Sequence, residues 1–479
     1  MDTLYNIGQR ISRRQLLSQA SMGFGMLALS SLLAEEARAD STEDASARVR
    51  RPHFAPKVKN VIFCFMSGAV SQVDSFDPNK PTLVKHAGEK MPIPLEKTGA
   101  NNPGVIFPSP WGFQRYGESG IEVNDLFTHI GAHADDLCVI RSLTSRFQEH
   151  AQANFFFHTG QQLMGFPSLG AWVNYGLGSE SKNLPGYVVL GSGEIPLGGI
   201  NVFGNGFLPN VYQPSMIYPE QAEPLQDIAP KEADSIQRKR LQFMEAVDRG
   251  FLNRTQNDSV IESAIQNYEL AYRMQTAIPE LVDLSGESEA TKKLYGMDSE
   301  SPYKRAYARQ CLLARRLVER GVRFVEVSMV SPDGKNNGSA WDQHFQLKKG
   351  HAANAFCVDQ PVGALLQDLK ARGLFEDTLV IFSGEFGRTP FAQGADGRDH
   401  NPFAFSSWIA GGGVKRGFVY GATDEYGYKV VENAMDVHDF HATILHLLGI
   451  DHTRLTFRFT GRDFRLTDVH GRVIHDLLA

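Results

Sequence analysis

Cysteine is scarce in this sequence. Only four cysteines occur among 479 residues, and none of them forms a Cys-x-x-Cys pair or a cluster with histidines. A metal site built from thiolates therefore has no support in the sequence, and the spacing assigns no disulfide. Cys64 and Cys138 lie inside apolar runs, where a thiol usually packs as a small buried hydrophobe.

Long basic runs are also absent. The formal net charge is -6, and residues of both signs are spread along the chain. Binding to nucleic acid needs basic side chains clustered on one surface, so the sequence argues against nucleic acid as a main partner. The apolar stretch from Met22 to Ala34 is shorter than the roughly 20 residues that cross a bilayer. We therefore expect no stable membrane anchor in the mature protein.

The N-terminus has the features of an export signal. Residues Ser12–Leu17 form a twin-arginine pattern, the apolar stretch follows, and Ala37–Ala39 supplies the small residues that a signal peptidase recognises. An ordinary amphipathic helix is the weaker interpretation, because the stretch has no polar face. We predict a signal peptide over residues 1–39 and a polar linker over 40–57. The twin-arginine export machinery would then deliver the protein to the periplasm or the cell exterior.

Beyond the linker, the sequence contains several continuous apolar runs. Strands that are buried on both faces of a sheet have this composition, whereas half-buried strands alternate apolar and polar residues. Five strands are predicted in this way: Val61–Met66, Leu137–Ile140, Val322–Ser328, Thr378–Ser383 and Ser407–Ala410.

Amphipathic helices lead into two of these strands. The helices Arg305–Arg320 and Val362–Arg372 are each followed by a glycine and then by an apolar run. This order of helix, glycine, strand and polar loop predicts an α/β fold, with a mostly parallel sheet and helices on both faces. Residues 231–302 are polar, and we interpret them as a helical insertion that covers one side of the sheet.

Potential metal ligands follow the predicted strands. In α/β proteins with a parallel sheet, bound molecules and ions lie beyond the carboxyl ends of the strands. Divalent cations are coordinated there by carboxylate oxygens and imidazole nitrogens. The residues at these positions are Asp74 and Asp77 after the first strand, Asp342 and His344 after the third, Glu385 and Arg388 after the fourth, and Asp399 and His400 before the fifth. Each of them also has an ordinary structural interpretation, as a turn residue or as a partner of a carbonyl or helix end. Because all of them are expected at the same edge of the sheet, a metal or anion site is favoured.

Several blocks of the sequence resemble a bacterial family named domain of unknown function 1501. They are Gly68–Ser71, Asp74–Pro78, Cys311–Gly321, Asp342–His344, Gly384–Pro390, Gly397–His400, Gly421–Asp424 and Thr443–Gly449. The resemblance runs from about Val58 to the C-terminus. It implies an alkaline phosphatase-like core over residues 58–479, of the kind shared with sulfatases and cofactor-independent phosphoglycerate mutases. Enzymes with that core hold one or two divalent metals and hydrolyse phosphate or sulfate esters.

The resemblance also assigns roles to individual residues. It implies that the metal ligands are Asp74, Asp342, His344, Glu385 and His400. Two positions depart from the pattern. Phe386 stands where these enzymes have a histidine ligand, and phenylalanine cannot coordinate a metal. His150 occupies the position of the nucleophile, with Thr144 and Ser145 as rival nucleophiles. The Cys-x-Pro-x-Arg motif of ordinary sulfatases is absent.

Together these features predict an exported, metal-dependent hydrolase of phosphate or sulfate esters, with a glycan as one candidate carrier of the ester. The metal would be zinc, manganese or magnesium, because mixed carboxylate and imidazole ligands argue against calcium. Arg388 would grip an oxygen of the anionic substrate, and His150 would act as a general acid or as a ligand. The alternative is a non-catalytic binding protein on a repurposed hydrolase fold.

Overall fold

A nine-stranded sheet forms the centre of the molecule. The computed structural model describes residues 50–96, 103–192, 195–255, 259–329 and 340–479, without side chains at 249–255 and 259–264. The predicted signal peptide and most of the linker lie outside these residues. Within them, no helix is long and apolar enough to cross a membrane.

The strands include the central sheet and several small sheets around it. In chain order they are β1 Asn60–Phe65, β2 Pro103–Ile106, β3 Phe113–Tyr116, β4 Ile121–Asn124, β5 Leu137–Thr144, β6 Tyr187–Leu190, β7 Ser215–Ile217, β8 Phe324–Ser328, β9 Thr378–Ser383, β10 Gly387–Gln393, β11 Gly397–Asn401, β12 Phe405–Gly411, β13 Phe418–Tyr420, β14 Ala422–Thr423, β15 Val430–Glu432, β16 Met435–Asp436, β17 Phe457–Phe459 and β18 Arg462–Phe464.

The α-helices account for most of the remaining regular structure. They are α1 Pro81–Lys85, α2 Thr128–Gly131, α3 His150–Thr159, α4 Leu169–Leu177, α5 Asp234–Thr255, α6 Ser259–Val282, α7 Glu289–Tyr295, α8 Pro302–Glu319, α9 Leu347–Ala371 and α10 Val437–Leu447.

The central sheet is mostly parallel. Its order is β13-β5-β12-β9-β1-β8-β6-β7, and β16 also pairs with β5. Among the described strands of this sheet, only β12 runs antiparallel to its neighbours, which are β5 and β9. All five predicted strands are present, and the predicted α/β class with a mostly parallel sheet is confirmed. The fifth predicted strand is the antiparallel one, an orientation that its apolar composition did not reveal.

Alternate side chains of the sheet enter two separate cores. In β1, Ile62 and Cys64 pack into one core, whereas Val61, Phe63 and Phe65 pack into the other. Helices α8 and α9 cover the first core, and α3, α4 and α10 cover the second. Helices therefore lie on both faces of the sheet, which explains the continuous apolar runs.

Both predicted helices are longer than their sequence patterns. Helix α8 begins at Pro302, where the Ser301 side chain accepts a hydrogen bond from the Lys304 N–H. Helix α9 begins at Leu347 and continues through Pro361, so the predicted helix is its second half. A proline inside a helix removes one hydrogen-bond donor and interrupts the pattern, although packing can keep the helix continuous.

The predicted insertion over residues 231–302 contains α5, α6 and α7. Apolar side chains of α6 and α7, including Ile278, Leu281 and Tyr295, pack into the same core as α8 and α9. These helices of the insertion therefore help to cover the core that α8 and α9 also cover.

Candidate metal centre

Three loops and the start of helix α3 meet at one edge of the sheet. Strands β1, β8 and β9 are parallel neighbours, so their carboxyl ends lie side by side. The Trp341 N–H donates to the Ser67 carbonyl oxygen (3.0 Å), which holds the loop around Asp342 against the end of β1. A Cβ atom on Gly397 would lie 1.8 Å from the His344 carbonyl oxygen, so only glycine allows β11 to approach this loop so closely.

Four side chains converge at this edge. Oδ1 of Asp342 lies 2.9 Å from Nε2 of His344, 3.2 Å from Nε2 of His150 and 3.5 Å from Nε2 of His400. Ligand atoms of these four residues all lie within 4.8 Å of one another, and no second group of this kind occurs among the described residues. We call these four residues the Asp342 cluster.

Each imidazole of the Asp342 cluster is held through its other nitrogen. An acceptor at Nδ1 places the ring proton there and leaves the Nε2 lone pair available to a metal. The Nε2 atoms of His150 and His400 are buried and make no hydrogen bond in the described part of the chain. The Nδ1 contacts are His150 with Glu385 Oε1 (2.6 Å), His400 with the Gln148 carbonyl oxygen (2.5 Å), and His344 with Gln393 Oε1.

The geometry of the Asp342 cluster fits a divalent cation. Zinc is usually bound tetrahedrally at about 2.0–2.2 Å, which places neighbouring ligand atoms about 3.3–3.5 Å apart. The three distances from Asp342 Oδ1, at 2.9, 3.2 and 3.5 Å, lie at this spacing or slightly below it. Three imidazoles and one carboxylate suit zinc or a similar first-row ion better than calcium, which prefers oxygen ligands throughout.

One side of the cluster faces solvent. The side chains of His344 and Asp342 are 31% and 23% exposed, whereas those of His150 and His400 are 5% and 9% exposed. Structural zinc sites are closed, but catalytic sites leave a position for water or substrate. The exposed side therefore gives the cluster the accessibility that a catalytic site needs.

The electrostatics keep two residues of the Asp342 cluster in the protonation states that metal binding requires. Burial alone would raise the pKa of Asp342, but the Arg388 charge and the three imidazoles hold it far below its usual value. Burial lowers the pKa of His400 to about 4, against the opposing effect of Asp342. His150 differs: burial would lower its pKa, but Asp342 and Glu385 raise it above the usual value. A metal ion at His150 would therefore compete with a proton.

Glu385, predicted as a ligand, lies behind His150 and outside the Asp342 cluster. Its side chain is fully buried. The Gly68 N–H donates to both carboxylate oxygens, at 3.0 Å to Oε1 and 3.3 Å to Oε2. With Oε1 also in contact with His150 Nδ1, the Glu385 carboxylate lies behind the His150 ring and not among the four converging ligand atoms.

Arg388, predicted to grip the substrate, is fully buried and already engaged. Its guanidinium donates to Asp342 Oδ1 at 2.6 Å and to the carbonyl oxygens of Gly68, Ala69 and Arg398. Its side chain therefore ties the loop after β1 to Asp342. With these partners and no exposed surface, the guanidinium holds the Asp342 carboxylate in place.

Asp74, the remaining predicted ligand, forms a buried ion pair. Its Oδ2 lies 2.7 Å from Nε of Arg398, and its Oδ1 lies 3.1 Å from Nη2 of the same guanidinium. The Ser71 hydroxyl donates to Oδ2 at 2.6 Å. The structure thus uses Asp74 to anchor β11, the strand that carries His400, and not in the Asp342 cluster.

Phe386, which stands where a histidine ligand was expected, packs against two imidazoles of the Asp342 cluster. Its ring is fully buried, and its centroid lies 4.9 Å from that of His150 and 4.8 Å from that of His400. The phenylalanine therefore fixes the planes of two imidazoles by contact. This packing role cannot be recognised in a sequence that shows only a missing ligand.

The rival nucleophiles Thr144 and Ser145 lie near the cluster in sequence but have other partners. The Thr144 hydroxyl donates to the Met435 carbonyl oxygen at 3.4 Å, and the Ser145 hydroxyl accepts from the Phe147 N–H at 3.4 Å. Neither hydroxyl is hydrogen-bonded to an imidazole in the described part of the chain. His150 itself is the first residue of α3 and a member of the Asp342 cluster.

Gln148 and Gln393 were not predicted from the sequence. Gln148 acts through its backbone carbonyl, which leaves no trace in residue identity. Gln393 is at the end of β10, where its partner His344 comes from a loop 49 residues earlier. Only the pairing of β10 with β11, which brings Arg388 opposite His400, could have indicated that this hairpin builds the site.

Solved structures with some similarity to this chain include three hydrolases. The PsFucS1 sulfatase from Pseudoalteromonas sp. is 14% identical, with 89% of this chain and 71% of that chain covered and a TM-score of 0.33. The alkaline phosphatase from the Antarctic bacterium TAB5 is 10% identical, with 84% and 99% covered and a TM-score of 0.34. The phosphonate monoester hydrolase SpPMH from Silicibacter pomeroyi is 12% identical, with 67% and 68% covered and a TM-score of 0.33.

A family model also matches this sequence. No curated protein matches this chain. The family model described as "Protein of unknown function (DUF1501)" matches residues 58–478, which is nearly all of the chain after the predicted linker. The family resemblance of the sequence blocks is thereby confirmed, and the chain belongs to the family of proteins of unknown function 1501.

Proposed function

We propose that this protein is a metal-dependent hydrolase that acts on phosphate or sulfate esters. The observation that carries the proposal is the convergence of three imidazole Nε2 atoms on Asp342 Oδ1, each ring held through Nδ1, at a site with one exposed side. His150, His344, His400 and Asp342 would hold the ion. A bound divalent ion would neutralise charge that develops on an ester oxygen and lower the pKa of a water molecule.

The chain's own residues prepare the site for that chemistry. Arg388 fixes the Asp342 carboxylate, and Phe386 fixes the rings of His150 and His400. Since His150 is placed among the ligands, we assign it that role in preference to a nucleophile or a general acid. Because Thr144 and Ser145 have no imidazole partner, we favour direct attack by water over a covalent intermediate.

We also propose that the protein is exported by the twin-arginine route and works in the periplasm or outside the cell. The pattern at Ser12–Leu17 and the small residues at Ala37–Ala39 support this proposal. Cell fractionation of the full chain and of an Arg13→Lys, Arg14→Lys variant tests it. We expect the intact chain outside the cytoplasm and the variant retained inside, and equal distributions would contradict export by this route.

Hydrolysis assays on chromogenic phosphate and sulfate esters test the proposed activity. We expect hydrolysis of at least one ester class that chelation abolishes and zinc, manganese or magnesium restores. A matched His400→Ala variant should remain inactive after metal addition. Stoichiometric metal with no hydrolysis of either class would instead support the non-catalytic binding protein.

A further inference from the structure

The three imidazoles of the Asp342 cluster have partners of different charge. His400 donates to a backbone carbonyl and His344 contacts a neutral amide, whereas His150 is paired with a carboxylate. A hydrogen bond to a carboxylate is roughly twice as strong as one between neutral groups, because the acceptor carries a full charge. His150 is therefore the ligand whose orientation and basicity are most strongly set by its partner.

The carboxylate behind His150 is also firmly held. Glu385 directly follows Gly384 at the end of β9, and a Cβ on Gly384 would lie 3.0 Å from the Met66 carbonyl oxygen. The Gly68 N–H binds both oxygens of Glu385, and the side chain has no exposed surface. A buried anion with these contacts cannot rotate away, so its charge stays directed at the His150 ring.

We infer that Glu385 is a positioning residue that strengthens metal binding through His150 without touching the metal. This inference rests on the metal centre proposed above. The carboxylate keeps the His150 proton on Nδ1, directs Nε2 toward Asp342 and increases the electron density that this ligand offers. Second-layer partners of this kind typically contribute about 10–100-fold to metal affinity.

Gln393 provides a matched comparison. It also contacts the Nδ1 of a ligand, His344, but it is neutral, and the His344 side chain is 31% exposed where that of His150 is 5% exposed. Removal of the Gln393 amide should therefore cost less metal affinity than neutralisation of Glu385. The difference between the two variants isolates the buried charge from the mere presence of a partner.

Competitive titration of the full apo-protein with zinc and a chromophoric chelator tests this inference. We expect Glu385→Gln to weaken zinc binding by about 10–100-fold and Gln393→Ala by less than about 10-fold. Glu385→Asp should bind with intermediate affinity, because it keeps the charge but shortens the side chain. The visible spectrum of the cobalt-substituted protein should shift in Glu385→Gln, because the field of the His150 ligand changes.

The outcomes separate this inference from the proposed function. Wild-type zinc binding that is lost in His400→Ala but unchanged in Glu385→Gln would overturn the role of Glu385 and leave the metal centre standing. No zinc binding by the wild type would overturn the metal centre itself. If Glu385→Gln does not fold, Glu385→Asp decides: wild-type affinity with a wild-type cobalt spectrum would contradict the inference.

Discussion

Helix α3 carries two histidine–glutamate pairs, one near each end, and only one of them belongs to the candidate site. His158 donates from Nδ1 to the Asn154 carbonyl oxygen (2.8 Å) and contacts Glu326 Oε1 through Nε2 (3.0 Å), so both of its nitrogens are occupied. His150 contacts Glu385 through Nδ1, but its Nε2 makes no hydrogen bond in the described part of the chain. Both pairs are buried. What separates the structural histidine from the candidate ligand is the unused Nε2 atom, and not burial or the type of partner.

The largest expected difference comes from truncating each histidine. His150→Ala removes a ligand and should weaken zinc binding by about 100-fold or more, since loss of a second-layer partner alone costs about 10–100-fold. His158→Ala should leave zinc affinity within a few-fold of wild type. It should lower the free energy of unfolding by about 3 kcal/mol, because Glu326 is left buried with only a long hydrogen bond (3.4 Å) from the Tyr187 hydroxyl.

Zinc titration and urea unfolding of both variants measure these effects. Equal loss of zinc affinity in the two variants would mean that either substitution disrupts the whole of α3. It would contradict the assignment of different roles to His150 and His158.

A third buried histidine provides a pH test. The Ser71 N–H donates to Nε2 of His351 (3.2 Å), so this imidazole must stay neutral there, and burial lowers its pKa to about 3 from an ordinary 6.5. Below pH 6.5, His351 is protonated in the unfolded chain but stays neutral in the folded chain. Stability should therefore fall as the pH decreases from 6.5 toward 3, with a slope that approaches about 1.4 kcal/mol per pH unit for this group.

Urea unfolding between pH 7.5 and 5 measures this slope. His351→Gln keeps an acceptor for Ser71 but cannot be protonated, so its stability should fall less steeply than that of the wild type. Parallel pH dependences would show that other groups dominate the acid sensitivity.

The smallest expected effect concerns backbone strain beside the site. Ala69 has a φ of +70° in the loop after β1, and its carbonyl oxygen accepts from Arg388. An alanine in this left-handed region costs about 1–2 kcal/mol, which glycine avoids at an entropic cost of about 0.5–1 kcal/mol. Ala69→Gly should therefore stabilise the protein by less than about 1 kcal/mol. Thermal unfolding checks this, and a clear destabilisation would show that the Ala69 methyl packs more favourably than the strain costs.

The fold was largely predictable because apolar runs and helix stops report directly on burial. The strand Thr378–Ser383 has the bounds that its composition predicts, and four further strands differ at their ends by a few residues. The antiparallel direction of β12 was not predictable, since strand composition reflects burial on two faces and not direction.

The sequence identified most residues of the site, but it could not show which of them lie in the Asp342 cluster and which lie behind it. Asp342, His344 and His400 were expected at a strand edge and occur together in the cluster. Residue type cannot tell a ligand from the partner behind it, and this distinction separates His150 from Glu385. Likewise, burial of Arg388 and the pairing of Asp74 with Arg398 depend on the β10–β11 hairpin, which becomes visible only in three dimensions.

Elemental analysis of the purified protein tests the central claim most directly, with Asp342→Ala measured beside the wild type. Asp342 Oδ1 is the atom on which all three imidazoles converge, so the cluster cannot hold an ion firmly without it. We predict close to one equivalent of zinc or another divalent ion per wild-type chain and almost none in the variant. A wild-type chain that stays metal-free after reconstitution, or a variant that keeps its metal, would contradict the account.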